Sequence, residues 1–301
     1  MTNLYWPVYK NLEKEVIRLS EYVHFDDNQL STYSAKIAEL LIRCSIEIES
    51  ISKDLYFRLG GPRSYDRDLY FDTDCIQLIE NKWILSKKKV IVAAPNFFFQ
   101  KDDNKVLTPL YKANRRGTSG ADWKKAYQAI KHNRVGYLPK GSIKNLVRAL
   151  AALYLLNIYF KDETYDLGKD SKATNLPINM GSDIFAIKIH KGAGFDEKGN
   201  ISKNDDFDEC VYLIKIKKDS QEKLKLANQK EKEARDELFS SHPKIKAWFL
   251  TNKIEDYRGD NFLLDVLGRE KYYEILRQAA MPNIGVWESI EYKAILNKNS
   301  I

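Results

Sequence analysis

The sequence SAKIAELLIRCSIEIESISKDLYF, from Ser34 to Phe57, carries the strongest helical pattern of the chain. Its apolar residues recur at steps of three, four and seven, so they fall on one stripe of a helix. The stripe consists of Ile37, Leu40, Leu41, Cys44, Ile48, Ile51 and Leu55. The letters LGGPR that follow predict the end of this helix, because glycine and proline do not continue one. We therefore expect a long helix with one buried face.

A second helix is predicted in GADWKKAYQAIKHNR, the sequence from Gly120 to Arg134. We place it at residues 123–135, because Asp122 suits the N-cap position and Gly136 suits the end of a helix. The stretch is rich in both aromatic and basic residues, so it is also the first place to look for a binding site.

A third helix is predicted at residues 143–160, with Ser142 as its N-cap. Its second part, ALAALYLLNIYF, is apolar nearly all round, which predicts a central, buried helix. This run is shorter than the roughly 20 residues that a membrane span requires. We therefore assign it to the core of a soluble protein.

Short β-branched or aromatic runs between residues 62 and 118 predict strands. The runs are CIQLI, KWILS, KKVIVAAP and NFFFQ. Further on, DIFAIKIH and ECVYLIKI alternate apolar and polar residues, which predicts an antiparallel pair joined by a long mobile loop at residues 191–208. A highly charged helix is predicted at residues 220–238, and a polar tail at the end of the chain.

These elements predict an α+β fold that is mainly α. We expect a helical bundle over residues 1–166, with a β-rich insertion at about 62–118, and a C-terminal α+β region of unknown role over residues 182–301. The stretch between them is rich in Asp, Lys, Asn and Pro, and it is the predicted domain boundary.

Composition indicates a soluble protein of the cytoplasm. Apolar residues make up 44% of the 301 residues, which is enough for a sizeable core. The three cysteines are far apart, which argues against a disulfide framework, and the N-terminus lacks the pattern of a signal peptide. The sequence contains no P-loop, serine-hydrolase or zinc-protease signature. We expect no metal and no cofactor.

Positive charge is concentrated in about one sixth of the chain. The net charge is +7, but the segment from Lys101 to Arg148 holds twelve basic and three acidic residues, a balance of +9. The rest of the chain holds 37 basic and 39 acidic residues. A local positive field favours an anionic partner, and RNA or another polyanion is the usual one. The alternatives are a solvated basic face without a partner and a surface for an acidic protein.

The helix predicted at residues 123–135 has two chemically different sides. One side carries Trp123, Tyr127, Ile130 and Arg134, and the opposite side carries Lys125, Gln128 and His132. The aromatic side can anchor the helix, while the other side presents hydrogen-bond donors.

This arrangement suggests a site for RNA chemistry. His132 would carry a proton, and Lys125 and Arg134 would hold the scissile phosphate. The further candidates for contact with RNA or phosphate are Lys124, Gln128, Lys131, Arg115 and Arg116. The alternative is structural, because positive charge in the last turn of a helix complements the helix dipole.

The order of these helices resembles the HEPN superfamily of helical bundles. The resemblance covers about residues 30–162 and rests on LLIRCSIEIESI, then DWKKAYQAIKHNR, then the very apolar helix. Members of this family are often RNA-cleaving toxins, phage-defence effectors or RNA-processing factors. The resemblance implies a metal-independent endoribonuclease, with paired sites that face each other across a homodimer.

One feature of the family pattern is missing. Active HEPN domains carry an arginine that the catalytic histidine follows after four to six residues, but the corresponding positions before His132 hold Tyr127, Ala126 and Lys125. Either Lys125 and Arg134 share that role, or the domain binds a nucleic acid or a nucleotide without cleaving it. The sequence leaves open whether the protein is an enzyme.

Overall fold

The computed structural model describes residues 3–64, 69–191 and 203–299. It confirms an α+β fold that is mainly α. The chain divides into two compact units. The first unit comprises Met1–Tyr165, Lys172–Lys215 and Ala294–Ile301, and the second comprises Asp166–Ser171 and Ile216–Lys293. The predicted domains, 1–166 and 182–301, differ from this division, because residues 182–215 and 294–301 belong to the first unit.

The helices of the first unit form a bundle. They are α1 (Tyr5–Ser20), α2 (Ala35–Arg58), α3 (Gln77–Trp83), α4 (Asp102–Lys105), α5 (Asp122–His132), α6 (Arg134–Tyr137) and α7 (Ile143–Lys161). The helix α2 packs against α1, α5 and α7. It begins where predicted, because the Ser34 hydroxyl accepts a hydrogen bond from the amide of Ile37 at 3.2 Å.

The helix α7 is the centre of the first unit. Every residue from Ala149 to Phe160 is buried, as its apolar sequence predicts. By length and composition α7 could cross a membrane, but 83% of the relevant window is buried inside the structure. Burial of this kind is typical of the core helix of a soluble protein, in agreement with the prediction from the sequence.

The strands are short and form small sheets. They are β1 (Phe25–Asp26), β2 (Val90–Val92), β3 (Phe97–Phe98), β4 (Val106–Leu107), β5 (Tyr165–Gly168), β6 (Phe185–Ile187), β7 (Ile189–His190), β8 (Tyr212–Ile216) and β9 (Tyr292–Leu296). β1 pairs with β3, and the other two sheets have the orders β4-β2-β6 and β5-β9-β8-β7.

Two of the four strands predicted between residues 62 and 118 are helical instead. CIQLI falls in a π-helical turn, Phe71–Ile76, and in α3, which continues from it, while KWILS spans the end of α3 and a short 3-10 helix, Leu85–Lys87. A short apolar run does not distinguish a buried strand from a buried helix, and here Ile79 and Trp83 face the core one helical turn apart. The runs KKVIVAAP and NFFFQ form strands as predicted, in β2 and β3.

The predicted antiparallel pair of DIFAIKIH and ECVYLIKI is wrong. The first run divides at Lys188 into β6 and β7, and β6 pairs with β2, with Ile187 opposite Val90. β7 pairs with β8 in parallel, with Ile189 opposite Tyr212. Alternation of polar and apolar residues identifies a strand but not its partner, which depends on packing over long range. Much of the predicted loop, residues 192–202, lies outside the described residues.

The second unit is built from α8 (Lys218–Ser241), α9 (Pro243–Thr251), α10 (Phe262–Leu267), α11 (Arg269–Ala280) and α12 (Ile284–Glu288). The predicted charged helix is confirmed in α8. The second unit has its own small core, which contains Phe239, Ile245, Leu267 and Ile275. The predicted polar tail is wrong for residues 292–296, which form β9, because Ala294 and Leu296 are buried.

Candidate functional site: a basic pocket beside α5

A pocket of about 720 Å3 opens between α2, α5 and two short segments of the first unit, Leu69–Asp72 and Arg116–Thr118. We call it the α5 pocket. Its lining residues are Glu49, Lys53, Leu69, Tyr70, Phe71, Asp72, Arg116, Gly117, Thr118, Lys124, Lys125, Gln128 and Lys131. A volume of this size suits a small organic ligand or one unit of a polymer.

The amphipathic pattern of α5 explains why this helix presents polar groups to the pocket. Trp123, Tyr127 and Ile130 are buried on the opposite side, as predicted. The Trp123 indole donates a hydrogen bond to the carbonyl of Pro109 at 3.0 Å. Burial, together with the Glu49 carboxylate that Tyr127 contacts, raises the pKa of Tyr127 to about 12. These contacts fix the rotation of α5 about its axis.

A buried ion pair forms one wall of the α5 pocket. The Lys124 ammonium lies 3.0 Å from an oxygen of Asp72 and donates further hydrogen bonds to the carbonyls of Ala113 and Arg115. Burial favours the neutral form of Asp72, but hydrogen bonds from Lys124, from the Thr73 amide and from the Arg116 side chain outweigh it and lower the pKa of Asp72.

Arg116 connects this wall to an aromatic ring. Its Nε lies 3.0 Å from the other oxygen of Asp72, and its guanidinium carbon lies 3.6 Å from the centre of the Tyr70 ring. A guanidinium held flat on an aromatic face is a stable platform, because the cation meets the negative face of the ring. The ion pair and the stacked ring thus hold the segment Tyr70–Asp72 in place.

Apart from the Asp72, Lys124 and Arg116 side chains, which pair with each other, the charged residues of the α5 pocket are mainly lysines. Among the residues that the structure describes, Lys53 and Lys131 form no ion pair, and Lys131 lies 5.5 Å from the Tyr127 ring centre. Lys125 is held by the exposed carboxylate of Asp122, at 2.9 Å, and by a long hydrogen bond of 3.5 Å to the carbonyl of Thr118. An exposed pair of this kind contributes little and can exchange for a ligand. Among the described lining residues, the positive charge open to a ligand therefore comes from three lysines, Lys53, Lys125 and Lys131, opposed by Glu49.

The structure brings five of the predicted site residues together in this pocket. They are Lys124, Lys125, Gln128, Lys131 and Arg116. It does not bring His132, Arg134 or Arg115 into the lining.

The role predicted for Lys124 needs correction. We expected its ammonium to contact phosphate, but the residue is only 3% exposed. Its three donors are directed to Asp72 and to two carbonyls, which leaves none for a ligand. By helical spacing Lys124 lies between the two sides of α5, and its contact with Asp72, which is distant in sequence, accounts for its burial.

The predicted extent of the helix also needs correction. The helix α5 begins at Asp122, whose side chain pairs with Lys125 instead of capping the helix, and it ends at His132. The backbone breaks at Asn133, whose side chain caps α6 by accepting a hydrogen bond from the amide of Gly136 at 2.9 Å. Arg134 therefore belongs to a different helix, and it is exposed instead of lying on the aromatic side.

His132 is exposed at the last position of α5. It shares a side of the helix with Gln128, but it lies about 6 Å further along the axis, given a rise of about 1.5 Å per residue. It is therefore beyond the lining of the pocket.

Several pocket residues were not anticipated from the sequence. Glu49 and Lys53 lie one turn apart on α2, away from its apolar stripe, and that spacing could have indicated them. Tyr70, Phe71 and Asp72 had no such signal. They precede a run that we had assigned to a strand, and π-helical turns carry no pattern of their own.

Within the described ranges, 3–64, 69–191 and 203–299, no group of three or more His, Cys, Asp or Glu side chains could hold a metal ion. The side chains that line the α5 pocket can bind anions through lysine, form hydrogen bonds through Gln128 and contact a ligand with aromatic rings.

Comparisons of the chain with protein-family models, with curated proteins and with solved structures find no match.

Proposed function

We propose that the protein binds RNA and that the α5 pocket receives one of its nucleotides. The observation that carries this proposal is the convergence of Lys53, Lys125 and Lys131 on a pocket that also contains aromatic rings. Lysine neutralises phosphate oxygens, and bases stack on aromatic side chains or on guanidinium planes.

The residues of the pocket suit the parts of a nucleotide. Lys53 and Lys131, which form no ion pair with any described residue, can contact a phosphate, and the amide of Gln128 offers both a donor and an acceptor to a base or a sugar. Tyr70 is 49% exposed and already carries the Arg116 guanidinium, so a base can extend the stack. Stacking of one base contributes about 1–3 kcal/mol.

Binding without cleavage is the form of the proposal that the geometry supports best. His132, the proposed proton carrier, does not line the pocket, and the two cations proposed to share the missing arginine's role are separated by the break at Asn133. The alternative is a metal-independent endoribonuclease in which His132 acts beside the pocket. Cleavage of RNA that depends on His132 would support this alternative.

The HEPN resemblance adds expectations about the setting of this activity. It suggests a cytoplasmic protein of antiphage defence or of a toxin system, acting as a homodimer. These expectations are independent of the α5 pocket, and RNA binding does not require them.

The test is binding of a fluorescently labelled, unstructured RNA in EDTA, followed by anisotropy. We expect Lys53→Glu and Lys131→Glu each to weaken binding about five- to tenfold, because each removes a phosphate contact and adds a repulsive charge. Gel analysis of the same samples should show intact RNA.

The matched control is Lys14→Glu, which reverses an exposed lysine on α1, away from the pocket. It should leave the affinity unchanged. Equal weakening by all three variants, or no binding by the wild type, would contradict the proposal. Cleavage that His132→Ala abolishes would replace it with the endoribonuclease alternative.

A further inference from the structure

Two more pockets of the first unit adjoin the α5 pocket. The first, of about 490 Å3, shares Thr118 and Lys125 with it. The second, of about 550 Å3, shares Asp103 and Arg148 with the first. The three pockets therefore follow one another along the surface, and each neighbouring pair has two wall residues in common. We call the two additional pockets the middle pocket and the far pocket.

One carboxylate links the two ends of this series. Asp122 lines the middle pocket, and its oxygens lie 2.9 Å from the ammonium of Lys125 and 3.9 Å from that of Lys144. Lys125 belongs to the α5 pocket and Lys144 to the far pocket. A single exposed side chain thus reaches cations of both ends, so the pockets lie close enough for one extended ligand to occupy all of them.

The middle and far pockets, taken together, are also basic. Their basic lining residues are Lys101, Lys112, Lys125, Lys140, Lys144 and Arg148. Their acidic lining residues are Asp103 and Asp122. Most of the charge that the sequence concentrates between Lys101 and Arg148 is therefore distributed along one path instead of over the whole surface of the unit.

Arg148 has an unused donor where the middle and far pockets meet. Its Nη2 makes one long hydrogen bond, 3.4 Å, to the carbonyl of Asp103. Its Nη1 is buried and finds no acceptor among the residues that the structure describes. A buried donor without an acceptor is costly, and an anionic ligand at this point, with a small movement of the side chain, would supply one.

We infer that the three pockets form one track for a single-stranded polynucleotide several nucleotides long. This inference rests on the proposed function and extends it from one nucleotide to a chain. A basic groove that follows the backbone, with aromatic side chains for the bases, is the usual way in which proteins hold single strands. Aromatic rings line the α5 pocket and, through the exposed Tyr111, the middle pocket, and all three pockets contribute basic side chains for phosphate contacts.

A single strand fits this track better than a duplex. Each pocket has room for about one nucleotide, and a strand can place consecutive units in consecutive pockets because its bases are unpaired and its backbone is flexible. A duplex is too wide to enter pockets of this size, so it would contact only the exposed lysines at their rims.

The test is a length series of oligouridylates of about 2, 4, 8 and 12 nucleotides, each measured by competition against the labelled longest oligomer. We expect the affinity of wild-type protein to rise at least tenfold with length and then to level off. The double variant Lys140→Glu, Lys144→Glu should lose most of that gain, while its affinity for the dinucleotide should equal that of the wild type within twofold. Lys53→Glu should weaken all lengths.

The outcomes separate this inference from the proposed function. If the dinucleotide binds in a manner that depends on Lys53 but longer oligomers bind no better, the track is wrong and the proposed function stands. If no oligomer binds, both are wrong. The track is also overturned if the double variant weakens the dinucleotide as much as the longest oligomer, if a duplex binds better than a single strand, or if polyglutamate competes as well as RNA. Lys14→Glu is the control for net charge throughout.

Discussion

At the scale of single residues, Lys88 is the side chain least suited to its surroundings. It is fully buried in the first unit, and its ammonium finds no hydrogen-bond acceptor among the described residues. Burial disfavours the charged form and lowers the pKa of Lys88 to about 8, although the carboxylate of Asp208 acts in the opposite direction. In the unfolded chain the pKa of Lys88 has the ordinary value for lysine, about 10.4. The protein therefore loses stability by keeping a lysine here.

We predict that Lys88→Met stabilises the protein at pH 7. Between about pH 8 and pH 10 the unfolded state binds more protons at this residue than the folded state, so the contribution of Lys88 to the free energy of unfolding rises with pH. The methionine variant should gain up to about 3 kcal/mol at pH 7, at about 1.36 kcal/mol per pKa unit, and this advantage should disappear near pH 10. Urea denaturation at a series of pH values measures both free energies.

The control for this experiment is Lys82→Met, which removes an exposed lysine from the adjacent helix α3. A stability difference between Lys88→Met and wild type that is the same at every pH would show that the effect is packing alone.

At the scale of helices, the approach of α7 to α2 depends on one residue without a side chain. Gly141 precedes α7, and a Cβ added to it would lie 2.6 Å from the Cβ of Ala38 and 2.8 Å from its Cα. Both neighbours are far inside normal contact distance, and one of them is helix backbone, which moves only with the whole helix. The close packing of the start of α7 on α2 therefore requires glycine here. The same packing holds α2, and with it Glu49 and Lys53, at the edge of the α5 pocket.

We predict that Gly141→Ala lowers the free energy of unfolding by about 1–3 kcal/mol, because the added methyl group forces the two helices apart. Adding Ala38→Gly should recover part of the loss by restoring space, although a glycine within a helix itself costs about 0.5–1 kcal/mol. Thermal or urea denaturation of both single variants and the double variant measures this coupling. Strictly additive effects would contradict the proposed contact.

At the scale of the whole molecule, the distribution of charge separates the two units. The first unit contains the segment Lys101–Arg148 with its balance of +9, and its basic residues line connected pockets. The second unit carries many lysines as well, but its longest helix, α8, mixes them with acidic residues at helical spacing. Interspersed charges of both signs create no sustained field, whereas a one-sided cluster does.

We predict that RNA affinity falls linearly with salt on a logarithmic plot. For single strands the slope is about −0.7 for each phosphate contact, so the triple variant Lys131→Gln, Lys140→Gln, Lys144→Gln should reduce its magnitude by about 2. The triple variant Lys223→Gln, Lys225→Gln, Lys230→Gln removes three exposed lysines from α8 and should leave the slope unchanged. A larger effect of the α8 variant would place the RNA on the second unit and contradict the proposed site.

The sequence alone determined the features that depend on local pattern. The apolar stripe of α2, the all-round apolarity of α7 and the two-sided composition of α5 each predicted a helix and its buried face, because side chains at helical spacing lie on one side whatever their tertiary partners. The concentration of positive charge was likewise visible without coordinates, and it indicated the part of the chain that lines the pockets.

Tertiary structure decided which residues meet. The parallel pairing of β7 with β8, the helical state of the segment that carries Phe71 and Asp72, and the burial of Lys124 against Asp72 each depend on residues distant in sequence. The break at Asn133 is different, because it depends on residues close in sequence. A helical wheel assumes an unbroken helix and so kept Arg134 in α5, whereas the structure places it in α6. A pattern fixes the direction of a side chain relative to its own helix or strand, but the groups on the other side of a contact come from elsewhere in the chain, and their positions follow only from the packing of the whole unit.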